Sequence, residues 1–276
     1  MSNITGLDHI VLIVRDLAAA EHAYTTLFGR APSWRTKSAD AETLMFTLGN
    51  MSLEVMAPLG EGAVKAALDT AGEGLASLVF RVGDVAQMHR RLTRLGLEPE
   101  DVVESSAVDA ISGASLSWRR TRAATKAGHG VRLFFLEREA ERQVSAETAQ
   151  GAITGLDHVV VQTPAPERAA ALYGARLGLD MRLDRTSAEW GSRLMFFRCG
   201  DLVVEIIHRL GEAGDGPDKL WGLSWRVADA AAAQARLKAA GVDVSEVRRG
   251  RKPGTHVFTV RDGTCGVPTL MVQVAS

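Results

Sequence analysis

The sequence predicts an α+β chain of four βαβββ modules arranged as two tandem domains. Three observations predict it. The hexapeptide ITGLDH is written twice, at 4–9 and 153–158. LMFTLGNMSLEVM (44–56) returns as LMFFRCGDLVVEI (194–206) with one residue inserted at Cys199. Each copy is followed by a weaker echo, LVFRVGDV (78–85) and LSWRVADA (223–230). Self-similarity on this scale fixes the architecture before any local reading, and the modules run in the order A, B, A′, B′.

Within module A, HIVLIV (9–14) is apolar and β-branched and reads as a strand. DLAAAEHAYTTLFG (16–29) has alanine-rich helical spacing and ends on Gly29, a residue suited to a left-handed C-cap. A further strand is expected around 33–39. TLMFTLG and MSLEVMAP then form two strands joined by a tight Gly-Asn turn. Module A′ follows suit, with PAPERAAALYGARLG (164–178) as its helix. GLASLVFRVGDVAQMHRRLTRLGLEP (74–99) and WGLSWRVADAAAAQARLKAAGVDV (221–244) each give a strand, an Asp at 84 or 229, a helix, a glycine and another strand. EREAERQVSAETAQGA (137–152) is polar, helix-prone and poor in β-branched residues. The expected domains are therefore 1–140 and 153–276, with a linker at 141–152.

A chain of 276 residues, 46% hydrophobic and 24% charged, can bury two cores. Its formal net charge of -1, without a long basic run, argues against nucleic acid as a partner. No apolar run reaches the ~20 residues that span a bilayer, and MSNITGLDH lacks the pattern of a signal peptide, so no membrane partner and a cytoplasmic location are expected. Cys199 and Cys265 are expected as free thiols.

Alternation along a strand puts His9 on one face with Val11 and Ile13, and His158 with Val160 and Gln162. Glu54 shares a face with Ser52 and Met56, and Glu205 with Val203 and Ile207. A carboxylate in an apolar strand is costly to bury unless it gains a cation, a donor or an altered pKa. Repetition of both the His and the Glu at matched places points to a shared metal or acid–base site. Arg81 and Arg226 occupy matched positions on the face that would line such a site, and suit an anionic small-molecule substrate. The basic stretches WRRTRAATK (118–126) and RRGRKPG (248–254) read as solvated hairpin faces rather than a ligand rim, and the tryptophans as core.

GLDHIVL, a helix and a hairpin whose last strand carries a glutamate, as in SLEVM, is similar to the vicinal oxygen chelate superfamily, also called the glyoxalase/bleomycin resistance/extradiol dioxygenase superfamily. SGASLSWRR followed by GHGVRLFFLE resembles its glyoxalase-like branch, so the two domains are expected to be glyoxalase-like. The resemblance implies a cup of strands with a divalent metal on its floor, held by the first and last strands. Carried over, His9, Glu54, His158 and Glu205 are the metal ligands. The corresponding positions of the B modules hold Ser77, Phe134, Gly222 and Leu270, which break the pattern.

Three arrangements meet that difficulty. Modules A and A′ face one another, in one chain or in a homodimer, and give a His₂Glu₂ site for Zn, Ni, Mn or Fe. His129 or His256 enters the site. Or each His/Glu pair works without metal. The resemblance implies a glyoxalase-type, metal-dependent lyase or isomerase acting on a small carbonyl substrate with adjacent oxygens, with Glu54 or Glu205 as catalytic base. An extradiol-type ring-cleaving dioxygenase and a metal-free small-molecule binding or resistance protein are the alternatives.

Overall fold

The computed structural model describes residues 3–212 and 214–274. The first half runs β1 (Ile4–Ile13), α1 (Leu17–Phe28), β2 (Trp34–Lys37), β3 (Ala41–Thr47), β4 (Ser52–Pro58), α2 (Ala63–Ala71), β5 (Gly74–Val82), α3 (Val85–Arg94), β6 (Val103–Val108), β7 (Ser115–Arg122) and β8 (Arg132–Arg138). The second runs β9 (Ile153–Gln162), α4 (Pro166–Ala170) continued by a wide π turn (Ala171–Arg176), β10 (Asp180–Ser187), β11 (Ser192–Cys199), β12 (Leu202–Arg209), β13 (Lys219–Val227), α5 (Ala230–Ala239), β14 (Arg248–Arg249), β15 (Thr255–Val260) and β16 (Thr269–Val274). The described strands form two eight-stranded sheets, ordered β2-β3-β4-β1-β5-β8-β7-β6 and β10-β11-β12-β9-β13-β16-β15-β14. The expected α+β architecture of four modules in two tandem domains is therefore the observed one.

Modules pair as sequence neighbours, because the first strands of A and B, β1 and β5, run antiparallel at the centre of one sheet. Within each module the first and last strands are parallel: Val11 faces Glu54 across β1–β4, and Val79 faces Phe134 across β5–β8. That register makes Phe134 the counterpart of Glu54 and Ser77 the counterpart of His9.

Local sequence explains the helices that flank these strands. The Asp16 carboxylate accepts a hydrogen bond from the Ala19 N–H at 2.9 Å, and Asp84 and Asp229 cap α3 and α5 in the same way. Gly29 ends α1 at φ 60°, and its N–H donates to the Thr25 carbonyl at 2.9 Å. A Cβ there would lie 3.2 Å from the Ala152 backbone, so the position excludes side chains by space as well as by φ. Cys199 and Cys265 are free thiols, as expected. Among the described residues, no helix is long and apolar enough to cross a membrane.

One continuous core joins the halves. Ile10, Leu12 and Phe80 of the first sheet, Tyr24 and Phe28 of α1, Val159, Val161 and Trp225 of the second sheet and Leu237 of α5 all belong to it. The Phe28 and Trp225 rings meet edge to face at 4.7 Å, and the Tyr24 hydroxyl donates to the Thr264 carbonyl at 3.1 Å. A buried side chain of this size contributes about 2–3 kcal/mol through the hydrophobic effect.

The segment after β8 is helix-prone in composition but forms no helix. Its backbone bonds to the first domain instead. Ser145 N–H donates to the Thr47 carbonyl at 2.7 Å, and Thr148 N–H to the Gly29 carbonyl at 2.8 Å. Buried Arg30 donates to the carbonyls of Ile153 at 2.6 Å and Ser145 at 2.7 Å. Long-range partners have overridden local propensity, and the segment lies as a strap against the first sheet.

Candidate functional site

Strand β1 contains a bulge where it meets β5. Leu7 pairs with Phe80 and His9 with Val79, leaving Asp8 without a ladder partner. The second copy repeats the irregularity, since Leu156 pairs with Trp225 and His158 with Ser224. Each bulge seats an aspartate beside the histidine. Asp8 Oδ1 lies 2.6 Å from His9 Nδ1, and Asp157 Oδ2 lies 2.8 Å from His158 Nδ1.

The face of the first sheet turned away from the shared core forms a cavity of about 290 Å³. His9, Val11 and Ile13 line it together, as alternation requires, and Glu54 and Met56 join them from β4. His9 Nε2 lies 3.1 Å from Glu54 Oε2. Trp34, Met45, Val79, Trp118 and Phe134 make the walls largely apolar, and α2 covers one end through Ala63 and Val64.

Charge at the floor is organised around Asp8, which is 0% exposed. Arg138 contacts its carboxylate directly, Arg142 Nη1 lies 3.2 Å away and Arg81 Nε 3.7 Å away. Burial opposes ionisation of Asp8, but His9, Arg142 and Arg138 outweigh it and hold the carboxyl far below its ordinary value. Burial likewise disfavours a charged His9, yet the Glu54 and Asp8 carboxylates raise its pKa above 6.5. Glu54 is held low by the same imidazolium against its own desolvation. His9 and Glu54 therefore form an ion pair inside the cavity, imidazolium against carboxylate.

In the second domain His158 Nε2 lies 3.1 Å from Glu205 Oε2 and 2.7 Å from Ser224 Oγ. Against burial, Asp157 and Glu205 push the His158 pKa up to about 9. This cup has weaker walls. Its edge strand β14 has two residues where β6 has six, and most of β10 is exposed. Asp157 is 28% exposed in its side chain, against 0% for Asp8.

The structure brings His9 to Glu54 and His158 to Glu205, but it does not bring the two pairs together. Ile10 and Leu12 beside His9, and Val159 and Val161 beside His158, enter the common core, so the two histidines face away from it on opposite sides. Among the described residues, no group of three or more His, Cys, Asp or Glu side chains is placed to hold a metal ion. Ser77 and Phe134 line the first cavity at the remaining ligand positions, whereas His129 and His256 are not among its lining residues. Two protein donors fall short of the three that catalytic metal sites ordinarily use. The residues present thus do not fit a resident catalytic metal.

Arg81 and Arg226 share the expected face, but Arg81 is not among the residues lining the first cavity and both are held in ion pairs. Arg81 Nη1 pairs with Glu141 at 2.8 Å, and Arg226 pairs with Asp157 at 3.3 Å and Asp201 at 3.0 Å. The bulged aspartates capture them. The guanidiniums lining the first cavity are those of Arg120, Arg132 and Arg142. Arg120 sits in the basic stretch read as a solvated face, where alternation with Trp118 was the available signal. Arg142 had none, since only tertiary contacts bring the strap to the site.

Residues 7–173 match the family model described as a glyoxalase-like domain, and residues 157–259 match that of the glyoxalase/bleomycin resistance protein/dioxygenase superfamily. A triple mutant of 4-hydroxymandelate synthase from Streptomyces coelicolor superposes with a TM-score of 0.73 at 16% identity, covering 100% of this chain and 94% of that one. The Mn(II)-bound glyoxalase from Novosphingobium aromaticivorans gives 0.70 at 14% identity, over 100% and 84% of the two chains. BphC, described as a halotolerant catechol dioxygenase, gives 0.63 at 12% identity, over 98% and 87%. Identities this low show the fold alone. No curated protein matches the chain by sequence.

Proposed function

The chain belongs to the glyoxalase/bleomycin resistance/dioxygenase, or vicinal oxygen chelate, superfamily, and we propose that it is a lyase or isomerase that moves a proton next to the carbonyl of a small molecule held in the first cup. The observation that carries this reading is the His9–Glu54 ion pair at 3.1 Å, both members lining one cavity with apolar walls. Glu54, ionised and poorly solvated, is the base that takes the proton from carbon. The His9 imidazolium gives its Nε2 proton to the oxygen that gains charge, and Asp8 on Nδ1 fixes the ring and keeps it charged until that moment. Arg142, lining the same cavity, adds positive charge to stabilise the oxyanion. Carbon loses one proton and oxygen gains one, giving an enediol; Glu54 then returns its proton to the former carbonyl carbon while the hydroxyl on the other carbon gives its proton to His9, which completes the isomerisation and restores both residues.

A resident Zn, Ni, Mn or Fe ion has no complete donor set here, so no step passes through one. A panel of α-hydroxy ketones in deuterated water, followed by proton NMR, tests the reading. We expect enzyme-dependent exchange at the carbon beside the carbonyl, indifferent to chelator, and slowed roughly 10²–10⁴-fold by Glu54→Gln. Exchange unchanged by that substitution would refute Glu54 as the base. Exchange abolished by chelator and restored by Mn²⁺ would replace this reading with the metal-dependent one. Oxygen uptake with catechols would favour ring cleavage.

Ser77 and Phe134 at the two remaining ligand positions favour a second reading, in which the cup binds a small molecule and leaves it unchanged. That reading predicts ligand affinity unaltered by His9→Gln and no exchange with any compound.

A further inference from the structure

Phe134 occupies the position at which the last strand of a complete module carries Glu54, and its surroundings carry the opposite charge. The guanidinium carbons of Arg120, Arg122 and Arg132 lie 5.4, 5.7 and 5.8 Å from its ring centroid. Three cations around one ring repel one another, and this geometry persists only where something offsets the repulsion. For Arg122 that is Glu100, which it contacts directly. Among the described residues, no carboxylate lies within ion-pair distance of Arg120 or Arg132. Both line the cavity, together with Trp118 and Trp34. Burial and the neighbouring Arg122 lower the Arg132 pKa against the pull of Glu100, which lies beyond ion-pair distance of Arg132.

We propose that Arg120 and Arg132 form an oxyanion-binding subsite in the first cup, and that its ligand is an organic anion whose apolar body packs on Phe134, Trp118 and Trp34. Two guanidiniums without an ion-paired carboxylate match two negative charges, so a phosphate monoester dianion fits better than a monocarboxylate. Each guanidinium offers several N–H donors suited to paired oxygens. The subsite deepens the reading given above by naming a ligand class, and it rests on the cup being the site. It does not depend on Glu54 being the base.

Binding to the full chain, measured by quenching of tryptophan fluorescence and by calorimetry at pH 7.5, tests the proposal with three probes of similar body: phenyl phosphate, phenylacetate and neutral phenylacetamide. Phenyl phosphate is expected to bind most tightly and phenylacetamide at least tenfold more weakly. Arg120→Gln with Arg132→Gln is expected to erase that discrimination, and Lys at both positions to restore part of it. Arg119→Gln, on the opposite face of β7, should change nothing. Carboxylate preferred over phosphate, with the same dependence on both arginines, still supports the subsite and identifies its ligand as a carboxylate. The amide binding as well as the anions overturns the proposal, as does no binding by any probe or a double variant that discriminates like the parent. Glu54→Gln separates the two claims. It should slow proton exchange and leave phenyl phosphate affinity intact: exchange that persists at the parent rate refutes the base alone, whereas failure of the arginine-dependent discrimination refutes the subsite alone.

Discussion

Asp8→Asn is the sharpest test of how the first cup is held together. Asp8 is fully buried, and Arg138 and Arg142, at 8% and 10% side-chain exposure, depend on its charge. Amidation keeps the shape and removes one negative charge, leaving two poorly solvated guanidiniums and one imidazolium facing an amide. Removing one partner of a buried ion pair typically costs about 3–5 kcal/mol, because the remaining charge stays desolvated. The duplicated chain supplies an internal control. Asp157 occupies the same bulge, but it and Arg226 are 28% and 30% exposed, so water screens their pairing. Asp157→Asn should cost about 1 kcal/mol. Urea denaturation followed by circular dichroism would measure both. In thermal melts the same difference should lower the midpoint by about 10 °C for Asp8→Asn and about 3 °C for Asp157→Asn. Equal costs, or a larger cost at Asp157, would refute the view that burial of the charge cluster distinguishes the two cups.

Two further outcomes follow from the geometry. The His158 pKa is pushed from 6.5 to about 9 in the folded chain, so its charge stabilises the fold fully below pH 6.5, and that stabilisation is lost as pH rises through 9. It amounts to about 3 kcal/mol at most. Relative to the parent, His158→Gln should therefore be most destabilised near pH 6 and least near pH 10 in urea titrations, and a gap that does not change with pH would refute the assignment. Phe28→Ala removes a fully buried ring that packs on Trp225 of the other domain. It should cost about 3–5 kcal/mol, and both domains should unfold in one shifted transition. Two separate transitions in the parent protein would contradict a shared core.

Much of the fold is legible in the residues because it depends on short-range rules. The ITGLDH repeat, the C-cap at Gly29 and the hairpin between β3 and β4 are local signals and have the expected form, and Asp16, Asp84 and Asp229 cap their helices by an equally local rule. Alternation also placed His9 and Glu54 on one face. It gave no sign of the ion pairs of Arg81 and Arg226, because the bulges at Asp8 and Asp157 put an acid within their reach that a regular ladder would have kept away. Helix α2 escaped notice, being nine residues between two strands with no side-chain N-cap. Arg142 was illegible for a deeper reason. Its segment carries no periodicity of its own, and Thr47, Gly29 and Arg30, more than 90 residues upstream, determine where it lies.

That strap has an evolutionary and practical corollary. Duplication of a gene leaves a join, and joins are ordinarily free to drift in sequence and length. Here the join lies inside the first cup, with Arg142 on the cavity and Arg30 clasping Ile153 at the first step of the next domain. Cutting at residue 140, where composition alone suggests a boundary, would detach a guanidinium from the cup it serves. Inserting residues before Ser145 would loosen its hold on Thr47. The floor of the first cup thus hangs on a segment whose far end is tied to the first strand of the second domain.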